Sequence, residues 1–179
     1  MSSNIMKTSS YKFAEGDKFL FDTNIWLYLY CPVGGYNQQL VNSYNNFYLD
    51  ILKNKCDIYI NSLILSEFFN SYCRIEFKIR RKQNPQLYRD YKRDFRNTSE
   101  YESLSSDIIK IIEQKILKRA LRISDNFEKL DMDDILIASK SFDYNDKVIA
   151  KLCEEKNIKV VTNDSDFKKI GNKINIITM

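Results

Sequence analysis

Two aspartates in this sequence stand after short apolar runs of the kind that form buried strands. Asp22 directly follows residues 19–21, and Asp164 lies three positions after residues 158–161. An acid that ends a strand in an α/β chain lies at the carboxyl edge of a parallel sheet, where such folds bind their ligands. Asp22 alone could equally be the cap of a helix that begins at about residue 25. A ligand site therefore requires further acids at the same edge.

Two further acids are predicted to lie on the early turns of helices that leave this edge. Glu67 belongs to a helix predicted over residues 63–72, and Asp146 belongs to one predicted over residues 145–156. If they converge with the two strand-end acids, the repulsion has to be relieved by protonation or by a divalent cation. Carboxylate and water oxygens suit Mg²⁺ or Mn²⁺ rather than zinc. The alternative is that each acid is a separate cap or surface charge.

The absence of histidine limits the chemistry that this chain can perform. It excludes Ser-His-Asp and Cys-His triads, histidine acid–base pairs and histidine-ligated zinc. The four cysteines form no CxxC pair, which argues against a redox motif and a zinc site. Any reaction must therefore use carboxylates, hydroxyls, cations or a bound metal.

Alternating strands and helices are predicted from the spacing of apolar residues. The predicted strands cover residues 18–21, 57–61, 158–161 and 174–178. The predicted helices start at about residue 25, cover 36–53, 63–72 with Ser62 as the N-cap, and 145–156, and include one introduced by Ser105 and Ser106. Strand, helix and strand in succession favour right-handed crossovers between parallel strands, which bring the strand-end acids to one edge.

The composition predicts a single domain over residues 1–179. A chain of this length with 44% hydrophobic residues can form a real core, and two prolines and four glycines leave no flexible linker. Residues 1–16 are polar and are expected to form a disordered N-terminal segment. No run is long enough to cross a bilayer and no secretory signal is visible, so we expect a soluble, cytoplasmic protein without membrane contact.

Four motifs occur in an order that resembles the PIN domain nucleases. They are Asp-Thr-Asn-Ile-Trp at 22–26, Ser-Glu at 66–67, Asn-Asp-Lys-Val-Ile-Ala at 145–150, and Val-Val-Thr-Asn-Asp-Ser-Asp-Phe at 160–167. Asp146 also precedes Thr162 by sixteen residues, as in many members of that family. The resemblance implies a three-layer α/β/α sandwich around a central, mainly parallel sheet. It also implies a nuclease that depends on Mg²⁺ or Mn²⁺.

The resemblance assigns roles to individual residues of this chain. Four acids are expected to be catalytic and to hold one or two ions, with the glutamate holding the second ion or orienting the attacking water: Asp22, Glu67, Asp146 and Asp164. Polar neighbours are expected to support these acids: Thr23, Asn24, Thr162 and Asp166. A metal-bound water is a nucleophile at neutral pH, so no histidine base is needed. By resemblance the substrate is RNA and the products carry 5′-phosphate ends.

One segment repeats the local pattern around Asp146. Residues 134–138 read Asp-Ile-Leu-Ile-Ala, and residues 146–150 read Asp-Lys-Val-Ile-Ala. Only the second segment is followed at the expected distance by a strand that ends in Thr-Asn-Asp. We therefore choose Asp146 and predict that the acids of the first segment are exposed helix acids: Asp131, Asp133 and Asp134. We expect Asp143 to be an auxiliary or surface acid.

Residues 71–125 match no motif and are predicted to be a helical insertion. Within them, residues 74–96 contain nine basic and three acidic side chains, a net of six positive charges, whereas the whole chain carries +4. Aromatic residues are interleaved with these charges, as in surfaces that bind phosphates and stack bases. We predict RNA contacts from Arg80, Arg81, Lys92 and Arg93. The alternative is a solvated helical hairpin whose aromatic residues face inward.

Competing functions require residues that this chain lacks or leave its acids unused. A haloacid-dehalogenase-like phosphatase needs an aspartate where this chain has Asn24, and a dinucleotide-binding domain needs a glycine-rich turn earlier than Gly34 and Gly35. A non-catalytic scaffold that binds RNA or protein is an alternative, although four intact acids favour catalysis. Short PIN proteins are often homodimeric toxins neutralised by a protein antitoxin, so we prefer a toxin to an RNA-processing nuclease.

Overall fold

The computed structural model describes residues 4–138, 143–170 and 174–179. Within these ranges one sheet is formed by β1 (Ile5–Lys7), β2 (Lys18–Phe21), β3 (Asp57–Ile60), β4 (Leu121–Arg122), β5 (Lys159–Val161) and β6 (Ile176–Thr178). The strands follow one another across the sheet in the order β1, β6, β5, β2, β3, β4, and every neighbouring pair is parallel. The predicted parallel sheet is thus confirmed.

Helices occupy most of the connections between the strands. The α-helices of the described ranges are α1 (Thr23–Tyr30), α2 (Gln38–Lys53), α3 (Ser62–Gln83), α4 (Ser99–Ile111), α5 (Met132–Ile135), α6 (Tyr144–Lys156) and α7 (Phe167–Ile170). Short 3₁₀ turns are formed by Thr8–Ser10, Pro32–Gly34 and Phe127–Lys129, and π-helical turns by Tyr91–Arg96 and Ile112–Ile116.

Polar caps fix where the longer helices begin. The Asn61 side chain accepts a hydrogen bond from the N–H of Ile64, so it is Asn61 that caps α3, and the prediction of Ser62 as the cap was wrong by one residue. The prediction that Ser105 and Ser106 introduce a helix was also wrong, because both lie inside α4. That helix begins earlier because Thr98 caps it.

The order of the strands reverses between β2 and β5. From β2 the chain moves outward to β3 and β4, and it then returns to place β5 on the other side of β2. Right-handed crossovers in these opposite directions put the connecting helices on opposite faces of the sheet. Accordingly, α1 packs against α2 and α3, and α3 against α4, whereas α6 packs against α5 and β5. The three-layer α/β/α sandwich is confirmed, and its reversal point is where such sheets form ligand crevices.

The hydrophobic core lies on both faces of β2. The side chains of Phe19, Leu20 and Phe21 are fully buried, as expected for a central parallel strand that is covered by helices on each side. No helix in the described part of the chain combines the length and apolar character needed to span a bilayer. Among the free cysteines, Cys56 is half-buried and the others are buried: Cys31, Cys73 and Cys153.

The predicted insertion over residues 71–125 is helical over most of its length and also contributes the edge strand β4. It has a small core of its own, in which Phe77, Tyr88 and Phe95 are buried together. The prediction that these aromatic rings offer stacking surfaces for bases was therefore wrong, since they face inward between α3, the π-helical turn Tyr91–Arg96 and α4. Among the basic side chains that the sequence analysis singled out, Arg81 and Lys92 remain exposed.

Within the segment 1–16, where the sequence predicted disorder, residues 4–16 lie against the rest of the fold. β1 pairs with β6. The rings of Tyr11 and Phe13 pack at 5.6 and 6.0 Å from that of Phe19, edge to face. Aromatic burial of this kind attaches the segment to the sheet.

Asp17 anchors the amino edge of the sheet. Its buried carboxylate accepts hydrogen bonds from the Lys159 ammonium and the Tyr11 hydroxyl, each at 2.7 Å, and from the N–H of Ala14 at 2.8 Å. Burial by itself raises the pKa of an aspartate, but these donors outweigh it, so the pKa of Asp17 is lower than its ordinary value. Because Lys159 begins β5, the ion pair ties the starts of β2 and β5 together.

We expect Asp17→Asn to lower the free energy of unfolding at neutral pH by about 1–3 kcal/mol, since it leaves Lys159 without its counter-charge. The folded-state pKa is lower than the unfolded value of about 3.9, so this stabilisation is complete above that value. It is lost as the pH falls through the folded-state pKa. Urea titrations at neutral and acidic pH should show a difference from wild type that shrinks in acid, and one of constant size would contradict the assignment. Glu15→Gln, an exposed neighbour, is the control.

Candidate active site

Asp22 lies at the junction where β2 ends and α1 begins. It is only 8% exposed, and its Oδ1 accepts a hydrogen bond from the N–H of Thr23 at 2.6 Å, which caps α1. Its Oδ2 accepts hydrogen bonds from the Thr162 hydroxyl at 2.7 Å and from the side-chain amide of Asn24. Asp22 is therefore the helix cap and also a buried acid at the end of a strand, so its capping role does not exclude its position at the carboxyl edge.

Thr162 joins the loops that follow β2 and β5. It is fully buried, and its Oγ1 accepts hydrogen bonds from the N–H of Asp164 at 2.9 Å and from the Asn24 amide at 3.1 Å while it donates to Asp22. The Asn24 side-chain oxygen accepts from the N–H of Asn163 at 3.2 Å. These bonds fix the backbone that carries Asp164 relative to the carboxylate of Asp22.

Glu67 approaches the same edge from α3, which follows β3. The Thr23 hydroxyl donates to Glu67 Oε2 at 3.0 Å, so the first residue of α1 bridges the two acids. Glu67 as a whole is exposed on its helix. Its carboxylate can thus meet a ligand from solvent while one oxygen stays hydrogen-bonded.

Asp146 lies in the first turn of α6 and forms a reciprocal cap with Asp143. The Asp143 Oδ1 accepts from the N–H of Asp146 at 2.9 Å, and the N–H of Asp143 donates to Asp146 Oδ2 at 3.4 Å. The neighbouring cation, Lys147, is engaged elsewhere, because its ammonium donates to the carbonyl oxygens of Ile135 and Ile137. It therefore does not neutralise the acids.

Burial and mutual repulsion raise the pKa values of these acids. Burial raises the pKa of Asp22 to about 6, and the charges of Glu67 and Asp164 add to this although two hydrogen bonds oppose it. Burial and the charge of Asp143 raise the pKa of Asp146 to about 7, with smaller contributions from Asp22 and Asp164. Partial desolvation, and then Asp143, raise the pKa of Glu67. Acids from four separate elements therefore influence one another at one edge of the sheet.

The donor set suits a hard divalent cation. All candidate ligands are carboxylate oxygens, and the repulsion that raises their pKa values is what such a cation would relieve. In the described ranges, however, no three side chains of the ligating types lie close enough together to hold an ion as they stand. Mg²⁺ commonly keeps several water ligands and binds through one or two carboxylates, which is compatible with this open arrangement.

Of the remaining acids in the sequence analysis, Asp166 contacts the acidic cluster and the others lie exposed on the surface. Asp166 supports the cluster through its backbone, since its N–H donates to Asp164 Oδ1 at 2.8 Å, while its carboxylate pairs with Lys169 at 2.6 Å. Asp134, from the repeated pattern, is exposed and lies 3.6 Å from Lys151. The other acids of that segment are exposed as well: Asp131 and Asp133.

Sequence reasoning missed Tyr44 and undervalued Asp143. Tyr44 is fully buried on α2, donates its hydroxyl proton to the carbonyl oxygen of Thr162 at 3.0 Å and accepts from the N–H of Met179 at 3.1 Å. Helical apolar spacing marks Tyr44 only as a core residue, so nothing in the sequence indicated this contact. The acid three positions before Asp146, by contrast, is the spacing of a reciprocal cap and could have been found.

Two of the four basic residues predicted to bind RNA are already engaged. The Arg80 guanidinium lies 3.6 Å from Glu100, and that of Arg93 lies 2.6 Å from Asp94. The other two are exposed and form no ion pair within the described ranges: Arg81 and Lys92.

Comparisons with known proteins relate most of this chain to one protein family. The model of the PIN domain family matches residues 19–173. Among solved structures, VapBC2 from Rickettsia felis, crystallised with a DNA fragment from its promoter, resembles this chain with a TM-score of 0.47 and 20% identity. That match covers 90% of this chain and 98% of the other. No curated protein sequence matches the chain.

The stability of the metal-free protein should rise as the pH falls from about 8 to about 5. Asp146 and Asp22, with pKa values of about 7 and about 6, take up protons in the folded state that the unfolded chain does not bind in this range. Asp146→Asn should reduce this slope and raise the free energy of unfolding at about pH 8 by on the order of 1 kcal/mol, after solvent screening. Urea titrations in EDTA measure both effects.

The matched control for this experiment is Asp134→Asn, which removes an exposed acid from the repeated pattern. It should leave the slope of stability against pH unchanged. A full wild-type slope in both Asp146→Asn and Asp22→Asn would show that these carboxyls do not titrate as assigned.

Proposed function

This chain belongs to the PIN domain family, and we propose that it is a metal-dependent endoribonuclease that hydrolyses RNA phosphodiester bonds. PIN domains are generally nucleases. The observation that carries the proposal is that acids at the end of β2, on α3, on α6 and in the loop after β5 approach one another at the edge where the strand order reverses. There, burial and neighbouring acids raise the pKa values of Asp22 and Asp146. With no histidine in the chain, carboxylates and a divalent cation are the groups suited to this hydrolysis.

We assign the ligation of Mg²⁺ or Mn²⁺ to four acids, which would bind directly or through water: Asp22, Glu67, Asp146 and Asp164. When bound, such an ion lowers the pKa of a water ligand and stabilises the negative charge of the transition state. Hydrogen bonds within the protein orient two of these carboxylates. Thr162 and Asn24 fix one oxygen of Asp22, and Thr23 fixes one oxygen of Glu67.

RNA rather than DNA is proposed as the substrate, with products that carry 5′-phosphate ends, on the strength of family membership. Phosphoryl contacts alone do not distinguish the two nucleic acids, because the difference lies in the 2′-hydroxyl. Labelled RNA and DNA of the same sequence therefore have to be compared side by side.

Purified protein should cleave labelled RNA when Mg²⁺ or Mn²⁺ is present and should stop when EDTA is added. Asp146→Asn should reduce the rate by about 100-fold or more, since even residues that only support metal ligands typically change activity by about 10–100-fold. End-labelled substrates separated on denaturing gels give both the rate and the position of cleavage.

The control variant is again Asp134→Asn, because its local sequence repeats that of Asp146. It should cleave like wild type. Cleavage that survives both EDTA and Asp146→Asn would place the activity elsewhere, and loss of activity in both variants would refute the choice between the two segments.

We further propose that the protein acts as the toxin of a toxin–antitoxin pair, as a homodimer whose acidic site is covered by a small protein antitoxin in the cytoplasm. Family membership supports this role, since PIN proteins are often toxins. An adjacent reading frame for a small DNA-binding protein would support it as well. Its absence would favour a nuclease that processes cellular RNA.

Induced expression of the wild-type chain should arrest bacterial growth, and Asp146→Asn should not, because arrest requires RNA cleavage. Growth curves and viable counts after induction measure this, with Asp134→Asn as the variant that should still arrest growth. Equal growth with all three proteins, at matched expression, would count against the toxin role without bearing on cleavage in vitro.

A further inference from the structure

A row of exposed basic side chains runs along α3 on the same side as Glu67. With 3.6 residues per turn, positions 74, 78 and 81 lie within about 40° of the direction of Glu67 around the helix axis. Arg74, Lys78 and Arg81 are exposed, and we call them the α3 track. With a rise of about 1.5 Å per residue, the track extends from about 10 Å to about 21 Å beyond Glu67.

The α3 track faces solvent with its charges unneutralised. The other acid of α3, Glu76, projects from the opposite side of the helix, where it lies 3.8 Å from Arg80. None of the three track residues forms an ion pair with a described residue. The Arg74 guanidinium is instead positioned 5.1 Å from the centre of the Tyr91 ring.

A favourable interaction with the helix dipole explains only one residue of the α3 track. Basic residues in the last turn of a helix interact favourably with its dipole, and this accounts for Arg81. Arg74 and Lys78 lie before the last turn, where that effect has faded. The helix dipole therefore does not explain why these two side chains align with Glu67, and their charges remain available to a ligand in solvent.

We propose that the α3 track binds the phosphates of a single-stranded nucleic acid that leads into the acidic cluster. This rests on the proposed nuclease function. The acids repel a polyanion, so the strand needs cationic contacts outside the cluster. Lys147 and Lys169, which lie next to the acids, are engaged by carbonyl oxygens and by Asp166.

The dimensions define the kind of strand that the track binds. A single row along one helix contacts one backbone, and the distance of about 21 Å from Glu67 to the far end of the track corresponds to about six nucleotides of a stacked strand at about 3.4 Å each. Because the neighbouring aromatic rings are buried, the contacts are to phosphates and carry no sequence information. Arg81 belongs both to this track and to the set predicted from sequence, whereas Arg80 and Arg93 are paired with acids of the insertion.

The test measures binding without cleavage, in protein that carries Asp146→Asn. The track variant combines Arg74→Gln, Lys78→Gln and Arg81→Gln. The control combines Lys12→Gln, Lys18→Gln and Lys53→Gln, which removes the same charge from exposed positions at or near the amino edge. The probe is a labelled RNA of about 12 nucleotides of mixed sequence, within the range of common single-strand sites. Fluorescence anisotropy is recorded over a series of salt concentrations.

The track variant should bind about 10- to 100-fold more weakly at about 0.1 M salt, and its plot of log K against log salt should be shallower by about 2, for three lost phosphate contacts. The control should change affinity less than about threefold, since it removes no phosphate contact. Equal weakening by both variants, or none by either, would overturn the proposal. So would polyglutamate that competes as well as RNA of equal charge, because it would assign the track to an acidic protein.

The experiment separates this inference from the proposed function. If the Asp146→Asn protein binds RNA through the α3 track but the wild-type protein does not cleave RNA, the track proposal stands and the nuclease proposal is refuted. If the wild-type protein cleaves RNA, and the track substitutions change neither the cleavage rate nor the affinity for RNA, the nuclease proposal stands and the track proposal is refuted.

Discussion

The structure depends on a carboxylate that is buried at the centre of the sheet. Removing a charge from water is costly unless donors replace the solvent, and Asp22 receives three, from Thr23, Asn24 and Thr162. One of these donors, Thr162, follows the end of β5, so the loss of solvent is compensated in part only if β5 lies beside β2. The strand order reverses at this point, which leaves a crevice above the acid. The position of β5 beside β2 is thus required both by the strand order and by the burial of Asp22.

Aspartates at the two edges of the sheet have pKa values shifted in opposite directions. At the amino edge, Asp17 has a lysine and two further donors, and its pKa is lower than usual. At the carboxyl edge, the two described lysines beside the acids, Lys147 and Lys169, are engaged elsewhere, and the pKa values of Asp22 and Asp146 are higher than usual. The first arrangement favours the folded state and the second opposes it. Functional sites commonly carry such a cost, which is offset by packing elsewhere.

Strong local signals made much of the fold predictable. β2 was predicted with its observed bounds, because a strand that is covered on both faces is apolar at successive positions. The end of the helix at residue 156 was predicted as well, and there Asn157 adopts a left-handed conformation that ends α6. The order of strands and helices along the chain then predicted a parallel sheet, since parallel crossovers allow little else, and Asp22 and Asp164 follow neighbouring strands of this sheet.

The failures concern residues whose roles are decided by distant parts of the chain. Ser105 and Ser106 have the residue type of a cap but lie inside α4, because Thr98 lies at the point where the chain turns. The basic segment looked like a mixed surface of cations and rings, and only the packing of the insertion shows that its rings face inward. Tyr44 is similar, since its hydroxyl meets Thr162 across 118 positions of sequence. Local spacing contains no information about such contacts.

The distribution of thiols has a practical consequence. Cys56 precedes β3 at the amino edge, with its Sγ 3.8 Å from the carbonyl oxygen of Ala14, while the other cysteines are buried. A maleimide dye would therefore attach at one position in the folded protein, although burial raises the pKa of this thiol and slows the reaction at neutral pH. A donor fluorophore placed there lies across the sheet from the acids. Energy transfer to a labelled strand could then report its approach without touching the residues that receive it.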